Sequence, residues 1–114
     1  CQPQIGSMGH TESAALELGY NIKVGKFYFR ACGKAMAVGN TFGFVKLIFD
    51  AKYGELIGAH IIGDGATEMI AELNIAKALE STWEDLAMTV HAHPTLSEAV
   101  MEAALDAYGV AIHH

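Results

Sequence analysis

Between His91 and Glu98 the chain reads His-Ala-His-Pro-Thr-Leu-Ser-Glu, which places two imidazoles, a proline and a carboxylate in one short segment. Histidine is the side chain whose ordinary pKa lets it both give and take a proton near neutral pH, so His93 is the candidate acid–base residue. A carboxylate such as Glu98, hydrogen-bonded to one ring nitrogen, would fix the tautomer, orient the ring and stabilise the imidazolium. Pro94 stiffens the backbone beside His93, and an X-Pro bond is the main place where a cis peptide is tolerated. His91 is a supporting candidate.

Two other readings fit the same residues. Thr95-Leu96-Ser97-Glu98 has the form of a helix capping box, with Glu98 as reciprocal partner of the Thr95 cap. On spacing alone capping stands ahead of catalysis. The roles are compatible, because a carboxylate has two oxygens and can meet the backbone with one and an imidazole with the other. A metal site is the second alternative. His91 and His93 alternate as along a strand, and His113 and His114 add possible ligands, but no further Cys or His lies at a familiar zinc spacing and no metal is expected. The two terminal histidines could equally be remnants of a purification tag.

The elements that would position this segment read as one domain, residues 1–114. That length buries roughly two thirds of the unfolded chain's surface but is small for an enzyme holding a large cofactor alone. With Cys1 in place of an initiating methionine, the chain is expected to be a fragment of a longer one. Apolar residues make up 52% against 18% charged, an excess that an oligomer interface would absorb. Lys46, Asp50, Glu55, Glu68, Glu72 and Lys77 interrupt the richest apolar stretches, so no membrane span is expected. A net charge of -6 with scattered lysines and arginines disfavours nucleic acid and anionic membranes. Cys1 and Cys32 form neither a close redox pair nor a disulfide framework, so a reducing compartment is the default.

Along the chain, Thr11 caps a short helix with Leu16 and Leu18 as its apolar contacts and Gly19 as its stop. Ile22 and Val24 open a strand whose apolar phase shifts to Phe27 and Phe29, which suggests a bulge at Gly25. Residues 31–41 suit a helical turn and a loop. Phe44–Phe49 and Glu55–Ile62 form a hairpin with Gly54 near its turn. Gly63-Asp64-Gly65 is a turn rather than a nucleotide loop, since it lacks the third glycine and a Walker lysine. A helix over about 67–81 buries Met69, Ile70, Leu73, Ala76 and Leu79. Thr82 caps a short helix carrying Leu86 and Met88 toward His91, and a last helix over about 96–108 presents Ala99, Val100, Ala103, Ala104 and Ala107 before Gly109 ends it. The fold class is α+β, an antiparallel sheet packed against helices in a two-layer sandwich.

These segments together resemble the C-terminal interface domain of the dihydrolipoamide dehydrogenases, among the flavin-dependent pyridine nucleotide-disulfide oxidoreductases. The resemblance is carried by Pro3 to Glu12, Val24 to Phe27, Gly58 to Gly63, Glu84 to Ala87 and His91 to Glu98, in that order. It implies that His93 is the acid–base residue and Glu98 its orienting carboxylate, with the role of His91 less defined. It implies a homodimer in which His93 completes a site whose FAD and reactive cysteines belong to the partner, with the His93-Pro94 backbone near the flavin and a cis bond before Pro94. It further implies NAD as acceptor, the acyltransferase core of 2-oxo acid dehydrogenase complexes as partner, and the cytoplasm or the mitochondrial matrix as location. This chain has neither the dinucleotide glycine fingerprint nor the cysteine pair, so alone it is expected to hold no cofactor and to be inactive. Its last residues also differ from the family's Ile-Asn ending. The alternatives are a non-catalytic homodimerisation module and the interface domain of another flavin disulfide reductase.

Overall fold

In the computed structural model, residues 4–31, 42–63, 65–88 and 98–109 are described. Strands β1 (Gln4–Gly9), β2 (Ile22–Tyr28), β3 (Gly43–Asp50) and β4 (Leu56–Gly63) form an antiparallel sheet in the order β1-β4-β3-β2. Helices α2 (Ala66–Ala78), α3 (Trp83–Met88) and α4 (Glu98–Ala107) accompany it, with α2 and α4 packed on the sheet. A short α1 (Glu12–Glu17) lies over one end of its outer face, and Phe29–Ala31 is a 3-10 turn. This is the expected α+β architecture. No described helix is long and apolar enough to cross a membrane.

The core follows from period-two alternation in the strands. Phe27, Val45, Leu47, Phe49, Ala59 and Ile61 point to the helical side, where Met69, Leu73, Val100 and the alanines of α4 meet them. The β3–β4 hairpin forms as its sequence predicts: the turn is closed by Gly54 N–H donating to the Asp50 carbonyl (2.7 Å) and Lys52 N–H to Asp50 Oδ1 (3.0 Å), with Gly54 at φ 76°. Between the Ile48–Gly58 and Phe49–Leu56 pairs the register slips. The extra residue, Ile57, joins Ile48 and Ala15 in a second small cluster under α1.

That slip corrects one expectation. β2 pairs continuously with β3 through Gly25, without a bulge there. The apparent phase shift arises because β2 buries side chains on both faces, Phe27 under α4 and Ile22 and Val24 against the α1 cluster. Gly25 has a different reason to be glycine. A Cβ placed there would stand 1.8 Å from the Ala103 carbonyl oxygen and 2.7 Å from the Ala107 nitrogen. The helix backbone therefore rests directly on the strand, and Lys26 N–H donates to Asp106 Oδ2 (2.9 Å) to fix the contact.

Several apolar residues assigned to the core lie outside it. Leu16 and Leu18 are exposed, and Ala15 is the buried residue of α1, which Thr11 caps by accepting from Ala14 N–H (3.2 Å). Leu79 is 74% exposed: it follows the last residue of α2 and lies one turn after the exposed Ile75, on the side away from the core. In α3, whose residues were not assigned to the core, Leu86 packs inward and Met88 is 81% exposed. The strand β1 went unread in the sequence: Gln4–Gly9 is glycine-bearing and poor in β-branched residues, and it is held by pairing with β4 rather than by its own propensity. Most of residues 31–41 lies outside the described residues, as does Asp64.

The far end of α4 is closed by aromatic contacts. Tyr108 stacks on Trp83 at 4.2 Å between centroids and meets Phe49 edge-on at 6.1 Å. Its hydroxyl is buried and has no hydrogen-bond partner among the described residues. Burial, then the charges of Asp50 and Glu84, push its pKa above 10.0.

Two outcomes are expected. Gly25→Ala must separate α4 from β2 and should cost about 3 kcal/mol or more in urea unfolding; a loss below about 1 kcal/mol would show that the helix is not seated on this strand. For Tyr108, the raised folded-state value means that its contribution is intact below about pH 10 and declines as the unfolded chain ionises first. Tyr108→Phe should leave stability at pH 7 unchanged or higher, and flatten the fall above pH 10. An equally steep fall in the variant would assign the effect elsewhere.

Candidate active site

The candidate segment runs from the end of α3 to the start of α4. Residues 89–97, and with them His91, His93, Pro94 and the proposed cap Thr95, lie outside the described residues. Glu98 is described: it is half-buried in the first turn of α4. A carboxylate at that position interacts favourably with the helix dipole. Glu98 is not without a partner.

The flanking helices are fixed to the sheet and to each other. Thr82 N–H donates to Asp85 Oδ2 (2.9 Å), a reciprocal cap that starts α3. Trp83 N–H donates to the Gly54 carbonyl (2.8 Å) and Leu56 N–H to the Ser81 carbonyl (2.9 Å), so the β3–β4 turn holds the entry to α3. The Trp83–Tyr108 stack then joins the start of α3 to the end of α4. Both anchors of the histidine segment are thereby set by the hairpin and by the α4 contact at Gly25.

Sequence reasoning missed Glu102. It is 3% exposed in an otherwise alanine-rich buried face and lies one helical turn after Glu98. Like Glu98, it is not without a partner. The available signal was the i, i+4 spacing of the two glutamates, with one falling among residues assigned to the core. A carboxylate that is buried in a packed helix face is retained where it is hydrogen-bonded or paired.

Elsewhere, the polar groups of the outer sheet face serve structure. His60 Nε2 bonds the His10 carbonyl at 3.0 Å, and Lys46 pairs with Glu12. Among the described residues no group of three or more His, Cys, Asp or Glu side chains could hold a metal. Two grooves beside Tyr28 and Arg30 measure ≈ 300 and ≈ 280 Å³, at the small end for a ligand pocket and below what a dinucleotide needs.

With this geometry in hand, comparison with known proteins is specific. Residues 1–104 match the family described as pyridine nucleotide-disulphide oxidoreductase, dimerisation domain. Dihydrolipoyl dehydrogenase from Rhizobium etli is 53% identical over 96% of this chain and 23% of its own length, and that from Zymomonas mobilis is 51% identical over 98% and 24%. Among solved structures, LpdA from Mycobacterium tuberculosis superposes with a TM-score of 0.84 at 26% identity, over 90% of this chain and 22% of that one. The HOCl-induced flavoprotein disulfide reductase RclA from Escherichia coli superposes with a TM-score of 0.85 at 26% identity, over 90% and 23%. The chain spans about a quarter of the length of the curated relatives it matches. Family match, relatives and superposed structures agree, and the chain belongs to the dimerisation domains of the pyridine nucleotide-disulphide oxidoreductases, within the dihydrolipoyl dehydrogenase-like branch.

Proposed function

We propose that this chain is the part of a dihydrolipoamide dehydrogenase subunit that brings two subunits together and supplies the acid–base pair His93 and Glu98 to the partner's redox centre. The observation that carries the reading is identity of about half the residues to named dihydrolipoyl dehydrogenases across nearly the whole chain. The placement of Glu98 in the first turn of the helix that follows His93 supports the pairing, since a rigid helix end can hold a carboxylate toward the preceding segment.

In this reading His93 takes the proton from one thiol of dihydrolipoamide. The thiolate attacks a sulfur of the enzyme's disulfide, the enzyme S–S bond breaks, and a mixed disulfide forms. The second substrate thiol then displaces the enzyme sulfur, releasing lipoamide and leaving the enzyme dithiol. Glu98 stabilises the imidazolium while it holds the proton and keeps the ring in one tautomer. FAD and NAD, carried by the remainder of the enzyme, supply the electron transfer that reoxidises the dithiol. The contribution assigned to this chain is the His93-Pro94 backbone beside the partner's flavin. The proposed assembly is a homodimer docked on the acyltransferase core of a 2-oxo acid dehydrogenase complex, in the cytoplasm or the mitochondrial matrix.

The test is made in a chimera in which this chain replaces the matching quarter of the Rhizobium etli enzyme. His93→Gln should lower dihydrolipoamide oxidation at least about 100-fold, the scale of a lost acid–base group. Glu98→Gln should give a smaller loss and shift the pH–rate profile. Near-normal turnover of the His93 variant would remove the residue from the reaction.

A further inference from the structure

Among the described residues Glu102 is the only buried polar or charged side chain, and the proton transfer proposed above does not use it. Glu98, Glu102 and Asp106 recur every four residues, so they form one acidic stripe along α4, beside the stripe of Ala99, Ala103 and Ala107. Asp106 accepts from Lys26 N–H, which places this stripe on the side of the helix next to the β2 edge.

The burial of Glu102 is enforced. α4 cannot roll to bring the carboxylate to solvent without lifting the Ala103 and Ala107 backbone off Gly25 and breaking the Asp106 contact. A leucine or methionine would fill the position without the desolvation that a carboxylate costs. The helix dipole does not account for it either, since that field favours acidic groups within the first turn, where Glu98 stands, and Glu102 is the fifth residue of α4.

α4 packs on β2, β3 and α3. The charged groups of these elements have other contacts. The Lys26 ammonium lies over the Phe44 ring at 4.2 Å and that of Lys23 over Tyr108 at 5.8 Å, while Arg30, just beyond β2, lies over Tyr28 at 4.3 Å. Lys46 pairs with Glu12, Asp50 accepts from Lys52 N–H and Asp85 from Thr82 N–H. Glu84, with Asp50, acts on the Tyr108 hydroxyl. Side chains on a helix lean toward its N-terminus, so the Glu102 carboxylate leans toward Glu98, whose Cβ stands about 5–6 Å away at this spacing.

We infer that Glu102 is a positioning residue for the proposed proton transfer, its buried negative charge turning the Glu98 carboxylate toward the start of α4 and adding to the field that stabilises the imidazolium. This rests on the reading above that Glu98 partners His93. Like charges one turn apart repel, and the outward direction is the one open to Glu98. A charge in the packed face is also screened less than one in water, so its influence reaches beyond its immediate neighbour.

The pH profile of dihydrolipoamide oxidation by the Rhizobium etli chimera provides the test. Glu102→Gln keeps the shape and removes the charge. It should lower kcat about threefold with KM little changed, and move the ascending limb, where the histidine loses its proton, about half a unit to lower pH, because an imidazolium with less negative charge around it gives up its proton sooner. Glu102→Asp retains the charge and should leave the limb in place. An unmoved limb in a folded, dimeric Gln variant would overturn the inference. An equal shift in the Asp variant would assign the effect to packing and overturn it too, and a Gln variant that fails to fold would make Glu102 a folding residue, with the same consequence. His93→Gln separates the two readings: retained turnover there removes the acid–base pair itself, whereas lost turnover with an unmoved limb in Glu102→Gln removes the role of Glu102 alone.

Discussion

The contact on which the arrangement depends is the approach of the α4 backbone to β2 at Gly25, close enough that even a methyl group has no room. Alanines at 99, 103 and 107 supply the smooth face for this approach, and the Lys26–Asp106 hydrogen bond sets its register. Among the described residues β2 is an edge strand, so Asp106 also satisfies a backbone donor that none of the described strands meets. One small-residue contact thus fixes the helix axis, shields an exposed edge and determines where Glu98 emerges.

From that contact the site's supports follow in order. The hairpin turn at Asp50–Gly54 pins Trp83, Trp83 stacks on Tyr108, and Tyr108 closes the end of α4. The described residues on either side, the end of α3 and Glu98 at the start of α4, are therefore tied to one frame. Glu102, buried one turn inside the helix, extends the acidic character of that frame into the core. The proposed role in exchange between thiols and disulfides would ask for an imidazole held in one direction rather than for an elaborate pocket.

Where sequence pattern and burial coincide, the fold was readable: the Thr11 cap, the hairpin with Gly54, and the alanine face of α4. It was unreadable where a residue serves something other than the nearest core. Leu16, Leu18, Leu79 and Met88 are as apolar as core residues but point outward, and hydrophobicity alone does not say which surface will cover a side chain. Gly25 read as a bulge because the two-sided burial of β2 breaks simple alternation. The strand β1 had too little propensity of its own to be seen. For the site, Glu98 was recognisable as a helix-start carboxylate, whereas the assignment of His93 came from resemblance of the whole motif, since spacing alone left capping, proton transfer and metal binding open. Glu102 was hidden because a buried carboxylate is contrary to pattern reasoning.

Among the described residues, apolar side chains stand exposed both on the helical side, at Ile75, Leu79 and Met88, and on the outer sheet face, at Ile5 and Phe42. A dimerisation domain of this family is expected to carry self-association. Sedimentation equilibrium of the chain across a concentration series addresses it directly. A reversible shift toward the mass of two chains by tens of micromolar is expected; a monomer throughout that range would show that association resides outside this domain.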